Sequence, residues 1–180
     1  MKQEGKVAEG KNVYLAYLKP EMVGAAYVGW LNDPEINKYM EARFDVPHTV
    51  EKVREYVGKM HGDPANHLFA IMLLEGGKHI GNIKVGPVNG HHKFAEVGIM
   101  IGERGVWGKG YGSEAITLAT DYAFKKLGVH KMVAGLYDNN VASLRAFEKA
   151  GYAREGLLKR KFLCGGKYVD HVLMGKLNEG

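Results

Sequence analysis

The chain of 180 residues carries one cysteine, Cys164. It therefore cannot close a disulfide within itself, and so sparing a use of cysteine fits a reducing compartment. No stretch stays apolar for the roughly 18 residues that a membrane-spanning helix needs. Met1-Lys2-Gln3-Glu4-Gly5-Lys6 is followed by no apolar signal core. A cytoplasmic protein with no membrane partner is the expectation. There is no internal repeat and no interdomain linker, and the length suits one domain with its own core.

Long runs of one charge are also missing. The 25 lysines and arginines are scattered among 20 acids, and the net charge is +5. The longest basic run, Lys159-Arg160-Lys161, is too short for a phosphate-backbone stripe and reads as a solvated strand end. No nucleic acid is expected, although the surplus favours anionic ligands modestly. His91 and His92 are adjacent, but no third ligand stands at a recognisable spacing. They read as a solvated loop pair, and no metal is expected. Cys164, next to Gly165-Gly166, has no assignable Cys/His/Asp constellation and reads as incidental.

What stands out is Val106-Trp107-Gly108-Lys109-Gly110-Tyr111-Gly112-Ser113-Glu114-Ala115. It follows an alternating apolar run and opens a long amphipathic segment. Three alternate glycines let a ligand approach the backbone closely. The helix behind them offers free N–H groups and the positive end of its dipole. Together these form an anion cradle suited to a phosphate or pyrophosphate. The Walker pattern fails because Glu103 stands five residues before Gly108. The Rossmann pattern fails because position 113 is serine. The plain alternative is a tight strand-to-helix turn.

Hydrophobic periodicity places this loop in a fold. Residues 1–11, rich in Lys, Glu and Gly, are expected to be a frayed, disordered leader before a single domain over 12–178. A first strand covers 13–18, and a helix runs from about 21 to 30. Asp33-Pro34-Glu35 reads as a cap, a first-position proline and a first-turn acid. Thr49 caps a helix whose apolar face is Val50, Val53, Val57 and Met60. Strands over 68–74 and 79–85 form a hairpin, and Gly86-Pro87-Val88-Asn89-Gly90 reads as a breaker. The strand over 94–101 has Ala95, Val97, Ile99 and Ile101 on one face, and Phe94, Glu96, Gly98 and Met100 on the other. After the glycine loop, Ile116, Ala119, Ala123 and Leu127 form a buried helical stripe that Gly128 ends. A strand over 131–137, a short helix capped by Asn139 or Asn140, and two strands joined through Gly165-Gly166 close the chain. The order gives a mixed α/β sheet with helices on both faces.

The segment Asn140-Val141-Ala142-Ser143, followed by Glu148-Lys149-Ala150-Gly151-Tyr152, changes the weight of the glycine loop. In this order and spacing, the two motifs closely resemble the GNAT superfamily of acetyl-CoA-dependent N-acetyltransferases. The likeness covers nearly all of the chain after Val13. Gly166-Lys167-Tyr168-Val169-Asp170 is similar to the branch holding ribosomal-protein N-terminal and spermidine acetyltransferases. Residues 30–40 are similar to members that acetylate amino-sugar nucleotides. The resemblance implies the GNAT fold, an α+β arrangement with a mostly antiparallel central sheet flanked by helices.

It also implies a site. Trp107, Gly108, Lys109, Gly110, Tyr111, Gly112 and Ser113 would hold the acetyl-CoA pyrophosphate. Trp107 stands where the family often has Arg or Gln, so backbone amides would do most of this work. Lys109 is equally readable as a solvated lysine. The strand through Ile99 and Ile101 would bond the pantetheine arm as an added strand does, and an amide near Ile99 would be the oxyanion donor. Asn140 and Ser143 would contact the arm and the thiol end. An amine must lose a proton to attack, and Glu96 is the candidate base; its plain reading is a solvent-facing glutamate. The thiolate's proton donor is open. Phe147 replaces the common tyrosine, leaving Ser143, a water, Tyr152 or unaided departure. Tyr27, Trp30, Tyr39 and Phe44 read as core, with some of them on the acceptor wall.

The implied activity is acetyl transfer from acetyl-CoA to a primary amine by direct attack in a ternary complex. The acceptor is a small amine, such as an amino-sugar nucleotide or a polyamine, or a peptide N-terminus. A homodimer is left open. The alternative is a non-catalytic acyl-CoA-binding or scaffold module, which would keep the loop and discard Glu96 and Ser143.

Overall fold

The computed structural model describes residues 5–180. Eight strands form one sheet in the order β1-β2-β3-β4-β5-β6-β8-β7. The strands are β1 Lys6–Glu9, β2 Val13–Tyr17, β3 His67–Leu73, β4 His79–Asn89, β5 Phe94–Ile101, β6 Lys131–Tyr137, β7 Ala153–Cys164 and β8 Lys167–Leu177. Every neighbouring pair is antiparallel except β5 and β6. The helix α4, Tyr111–Leu127, makes the crossover that a parallel pair requires. No helix among the described residues is long and apolar enough to cross a membrane.

Two apolar clusters explain why the sheet sits between helices. On one face, Ile116, Ala119 and Ala123 of α4 and Leu144 and Phe147 of α5 (Val141–Lys149) pack on Leu15, Phe69, Ile83 and Val97. On the other, α1 (Ala25–Asn32) and α3 (Val50–Gly62) bring Tyr27, Trp30, Val53 and Val57 onto Leu68, Ala70 and Met100. Residues of β3 feed both clusters, which accounts for its unbroken apolar run. Trp30 lies over Gly102, where any Cβ would collide with the indole ring. This close approach seats α1 at the end of β5.

The expected caps form. Asp33 accepts from the Glu35 amide (2.9 Å) at the start of α2, Pro34–Asn37, and Thr49 accepts from the Lys52 amide (3.3 Å) at the start of α3. Gly128 ends α4 in the left-handed conformation. Three expectations change. The stretch Lys6–Glu9 is not frayed, because it pairs with β2 as an edge strand; residues 1–4 lie outside the described residues. The breaker at Gly86-Pro87 does not end β4, which passes through it on a bulge between Val85 and Val88. The helix expected from about residue 21 is a single turn at Pro20–Met22, and α1 begins afresh behind an extended Gly24.

Glu114 explains why the first turn of α4 holds its place. Its carboxylate accepts from the Asn12 amide (2.7 Å), the Asn12 side chain (2.8 Å) and the Val13 amide (3.2 Å). A first-turn acid also suits the helix dipole. Burial raises the Glu114 carboxyl, but the bonds from Asn12, Val13 and Lys11 outweigh it and hold the group below the ordinary glutamate range. A depressed carboxyl stabilises the fold above its unfolded value, and that contribution is lost as pH falls through the folded value. Glu114→Ala should therefore cost about 1–3 kcal/mol at neutral pH, with the deficit shrinking in acid. Urea melts of both proteins at neutral pH and at about pH 3 check this; a deficit equal at both would refute it.

Candidate active site

The site begins where two strands stop pairing. The parallel ladder between β5 and β6 joins Phe94 to Lys131, Ala95 to Met132 and Glu96 to Val133, and then ends. The Gly102 amide donates to the Ile80 carbonyl (2.9 Å), in continuation of the register that sets Met100 opposite Asn82 and Gly98 opposite Lys84. Hydrogen-bonded positions alternate along an antiparallel ladder. Met100 and Gly98 thus face β4 with their backbone groups. Val97, Ile99 and Ile101 turn theirs the other way, into the gap left by β6. The Ile99 amide, singled out from the sequence as oxyanion donor, faces that gap.

Without a strand partner, these outward backbone groups are available to a ligand. One group is already served, since the Trp107 indole Nε1 donates to the Ile101 carbonyl (2.9 Å). Trp107 thereby ties the glycine loop to the end of β5. Within the loop, the Trp107 amide donates to Arg104 (3.1 Å) and the Lys109 amide to Val106 (3.4 Å). These two amides are engaged, which narrows the cradle expected over residues 107–112. Gly108 and Gly110 take φ of 79° and 85°, where a side chain would be strained. Gly110 is the N-cap of α4, so the first-turn amides of Tyr111, Gly112 and Ser113 have no helical carbonyl to bond. The Ser113 hydroxyl donates back to the Gly110 carbonyl (2.8 Å). Lys109 is exposed.

A cavity of about 270 Å³ occupies the gap between β5 and β6. Val97, Gly98, Ile99 and Met100 form one wall, and Gly135, Leu136 and Tyr137 form the other. Asn140, Ser143 and Phe147 close it from α5. Asn140, not Asn139, is the N-cap, with Oδ1 accepting from the Ser143 amide (3.3 Å). Ile99, Asn140 and Ser143 are thus brought together. Tyr152 is not part of the cavity. Its hydroxyl is paired with Thr120 (2.7 Å), and burial pushes it up, with the Thr120 bond opposing. Phe147 is fully buried against the edge of Tyr152.

Glu96 occupies the last paired position of β5, at the vertex of the gap. Its side chain is exposed and lies outside the cavity lining. Of the early aromatics, Tyr27 and Tyr39 line the cavity, Trp30 is core, and Phe44 is 63% exposed.

The far wall was largely missed in the sequence. Tyr56 of α3 and Asn82 and Lys84 of β4 line it with Tyr27, Tyr39 and Met40. Alternation along Asn82-Ile83-Lys84-Val85 carried a signal, because two polar residues share the face opposite two buried apolar ones. Nothing local marked Tyr137. Its hydroxyl accepts from Arg43 (2.9 Å) and donates to Glu41 (3.4 Å), both far away in sequence. Burial raises the phenols of Tyr27 and Tyr56. Burial likewise raises Tyr137, although Arg43 opposes it. All three stay protonated donors at neutral pH. Burial lowers His79, with bonds to Asn82 and Gly81 opposing. His79 Nε2 faces two acceptors, the Gly81 carbonyl and Asn82 Oδ1, both at 2.9 Å, so it carries the proton and donates to both.

The family model for the acetyltransferase (GNAT) domain matches residues 12–153. The probable N-acetyltransferase YjcK of Bacillus subtilis is 31% identical over 141 residues, covering 76% of this chain and 77% of that protein. The spermidine N(1)-acetyltransferase of Vibrio cholerae is 28% identical over 128 residues, covering 71% and 73%. A crystal structure of a Vibrio cholerae spermidine N-acetyltransferase in complex with CoA and spermine superposes with a TM-score of 0.81. It is 26% identical, with 92% of this chain and 95% of that one covered. Mycobacterium smegmatis RimJ in complex with CoA-disulfide shares the fold, with a TM-score of 0.80 at 21% identity, covering 93% and 82%. A split sheet under a glycine loop, together with these likenesses, makes this chain a member of the GNAT family and an N-acetyltransferase.

Proposed function

We propose that this protein moves the acetyl group of acetyl-CoA to a primary amine by direct attack, with donor and acceptor bound together. The observation that carries this reading is the Ile99 amide facing the gap between β5 and β6. The residues fit the donor. An extended amide-bearing arm can bond the free backbone of Val97 and Ile99 as a strand would. The first-turn amides of α4 suit its pyrophosphate. When bound, acetyl-CoA supplies a thioester whose carbonyl carbon is open to an amine.

The chain's own groups then divide the work. The Ile99 N–H holds the carbonyl oxygen as it gains charge. Tyr27, Tyr39 and Met40 bound the acceptor side and limit how the amine turns. Glu96 takes the amine's proton through water, because its exposed carboxylate stands at the vertex rather than in the lining. Ser143 offers a hydroxyl where the thiolate leaves, since Phe147 has none and the Tyr152 hydroxyl is committed to Thr120.

Two experiments test the reading by thiol release. Glu96→Gln should lower kcat/KM most at pH values where the free amine is protonated; an unchanged pH profile removes Glu96 from the mechanism. Gly112→Leu isolates the cradle. A Cβ at Gly112 comes no nearer than 3.7 Å to Ile101, and its φ lies outside the left-handed region. The fold should hold while the side chain obstructs the ligand. The acetyl-CoA KM should rise by about tenfold or more with an unchanged Tm, and unaltered affinity would contradict the loop assignment.

A further inference from the structure

The acceptor wall carries donors and no acid. Asn82 and Lys84 lie two residues apart on β4 and both line the cavity. Asn82 is 5% exposed, and its Nδ2 has no hydrogen-bond partner among the described residues. The orientation of this amide is fixed from behind, because His79 Nε2 carries a proton and must face an acceptor, which is Asn82 Oδ1 at 2.9 Å. Nδ2 is left as an unmet donor, a costly state for a buried group until an oxygen reaches it. Lys84 makes no ion pair among the described residues. Among the described residues, no aspartate or glutamate lines the cavity. The nearby acids, Glu41 on the Tyr137 hydroxyl and Glu96 at the vertex, stand outside the lining.

From this juxtaposition we infer that the acceptor is an amine bearing an oxygen anion, a carboxylate or a phosphate, which Lys84 attracts and Asn82 Nδ2 binds. The inference rests on the acetyl-transfer reading and narrows it. A polyamine would bring two or more ammonium groups to a wall with one lysine and no carboxylate, which is unfavourable for each cation left unpaired. An amine with a neighbouring oxyanion meets both the charge and the unmet donor. His79 is a positioning residue here, acting only through Asn82.

The test follows thiol release from acetyl-CoA with β-alanine, 2-aminoethylphosphonate, propylamine and spermidine, on the whole chain. One or both oxyanion amines should exceed spermidine and propylamine in kcat/KM by about tenfold or more, and the better of the two tells carboxylate from phosphate. Lys84→Glu should remove that advantage and raise spermidine. Asn82→Asp, which keeps the shape and replaces a donor with an acceptor, should lower kcat/KM for the oxyanion amine relative to propylamine. Preference for spermidine by the native protein, or a ranking that Lys84→Glu leaves intact, overturns the inference while acetyl transfer stands. Thiol release from none of the four, with CoA still bound, overturns this inference, and acetyl transfer itself falls only if peptide N-termini and amino-sugar nucleotides also release no thiol.

Discussion

Pairing between β5 and β6 that stops at Glu96 and Val133 is the constraint on which the rest of the site depends. A sheet is stable because its backbone groups find partners across each ladder. Here one strand keeps its partner on the β4 side and loses it on the other. The open edge lines a cavity in the middle of the sheet, where Gly98 and Gly135 on its two walls are exposed. Val97 and Ile99 are therefore held straight by β4 while their outward groups wait for a ligand. In the proposed reaction, rigidity of this kind sets the Ile99 amide in place before the substrate arrives, which is what stabilisation of a developing charge requires.

The glycine loop and α4 serve the same constraint. The Trp107 indole satisfies the Ile101 carbonyl at the far end of β5, so the open edge is bounded at both ends. Glu114 binds the first turn of α4 to the β1–β2 turn, which fixes the cradle relative to the sheet. An arginine or glutamine at position 107 would offer a side-chain contact to a phosphate. Tryptophan instead bonds the Ile101 carbonyl, and in the proposed function the anion is left to backbone amides.

Much of this was legible in the residues. The caps at Asp33, Thr49 and Asn140 are local, and so is the left-handed turn at Gly108 and Gly110. The alternation in β5 assigned its faces correctly, and family motifs led to Ile99, Asn140 and Ser143. What the sequence hid was non-local. Lys6–Glu9 looked like a polar leader because an edge strand with one partner needs little apolar patterning. Gly86-Pro87 looked like an end because proline removes a ladder bond, yet a bulge absorbs it. The acceptor wall joins β4, α1, α3 and β6, so no window of sequence contains it. The unmet Asn82 donor exists only because His79, three residues earlier, takes the other end of the amide.

The central claim is that the outward backbone of β5 receives the donor as an added strand. Amide hydrogen exchange, resolved by residue with and without CoA, tests this most directly. The account predicts that the Ile99 amide slows sharply when CoA binds, while Gly98 and Met100, already bonded to β4, hardly change. Bound CoA with no protection at Ile99, or with new protection at Gly98 and Met100 instead, would contradict it.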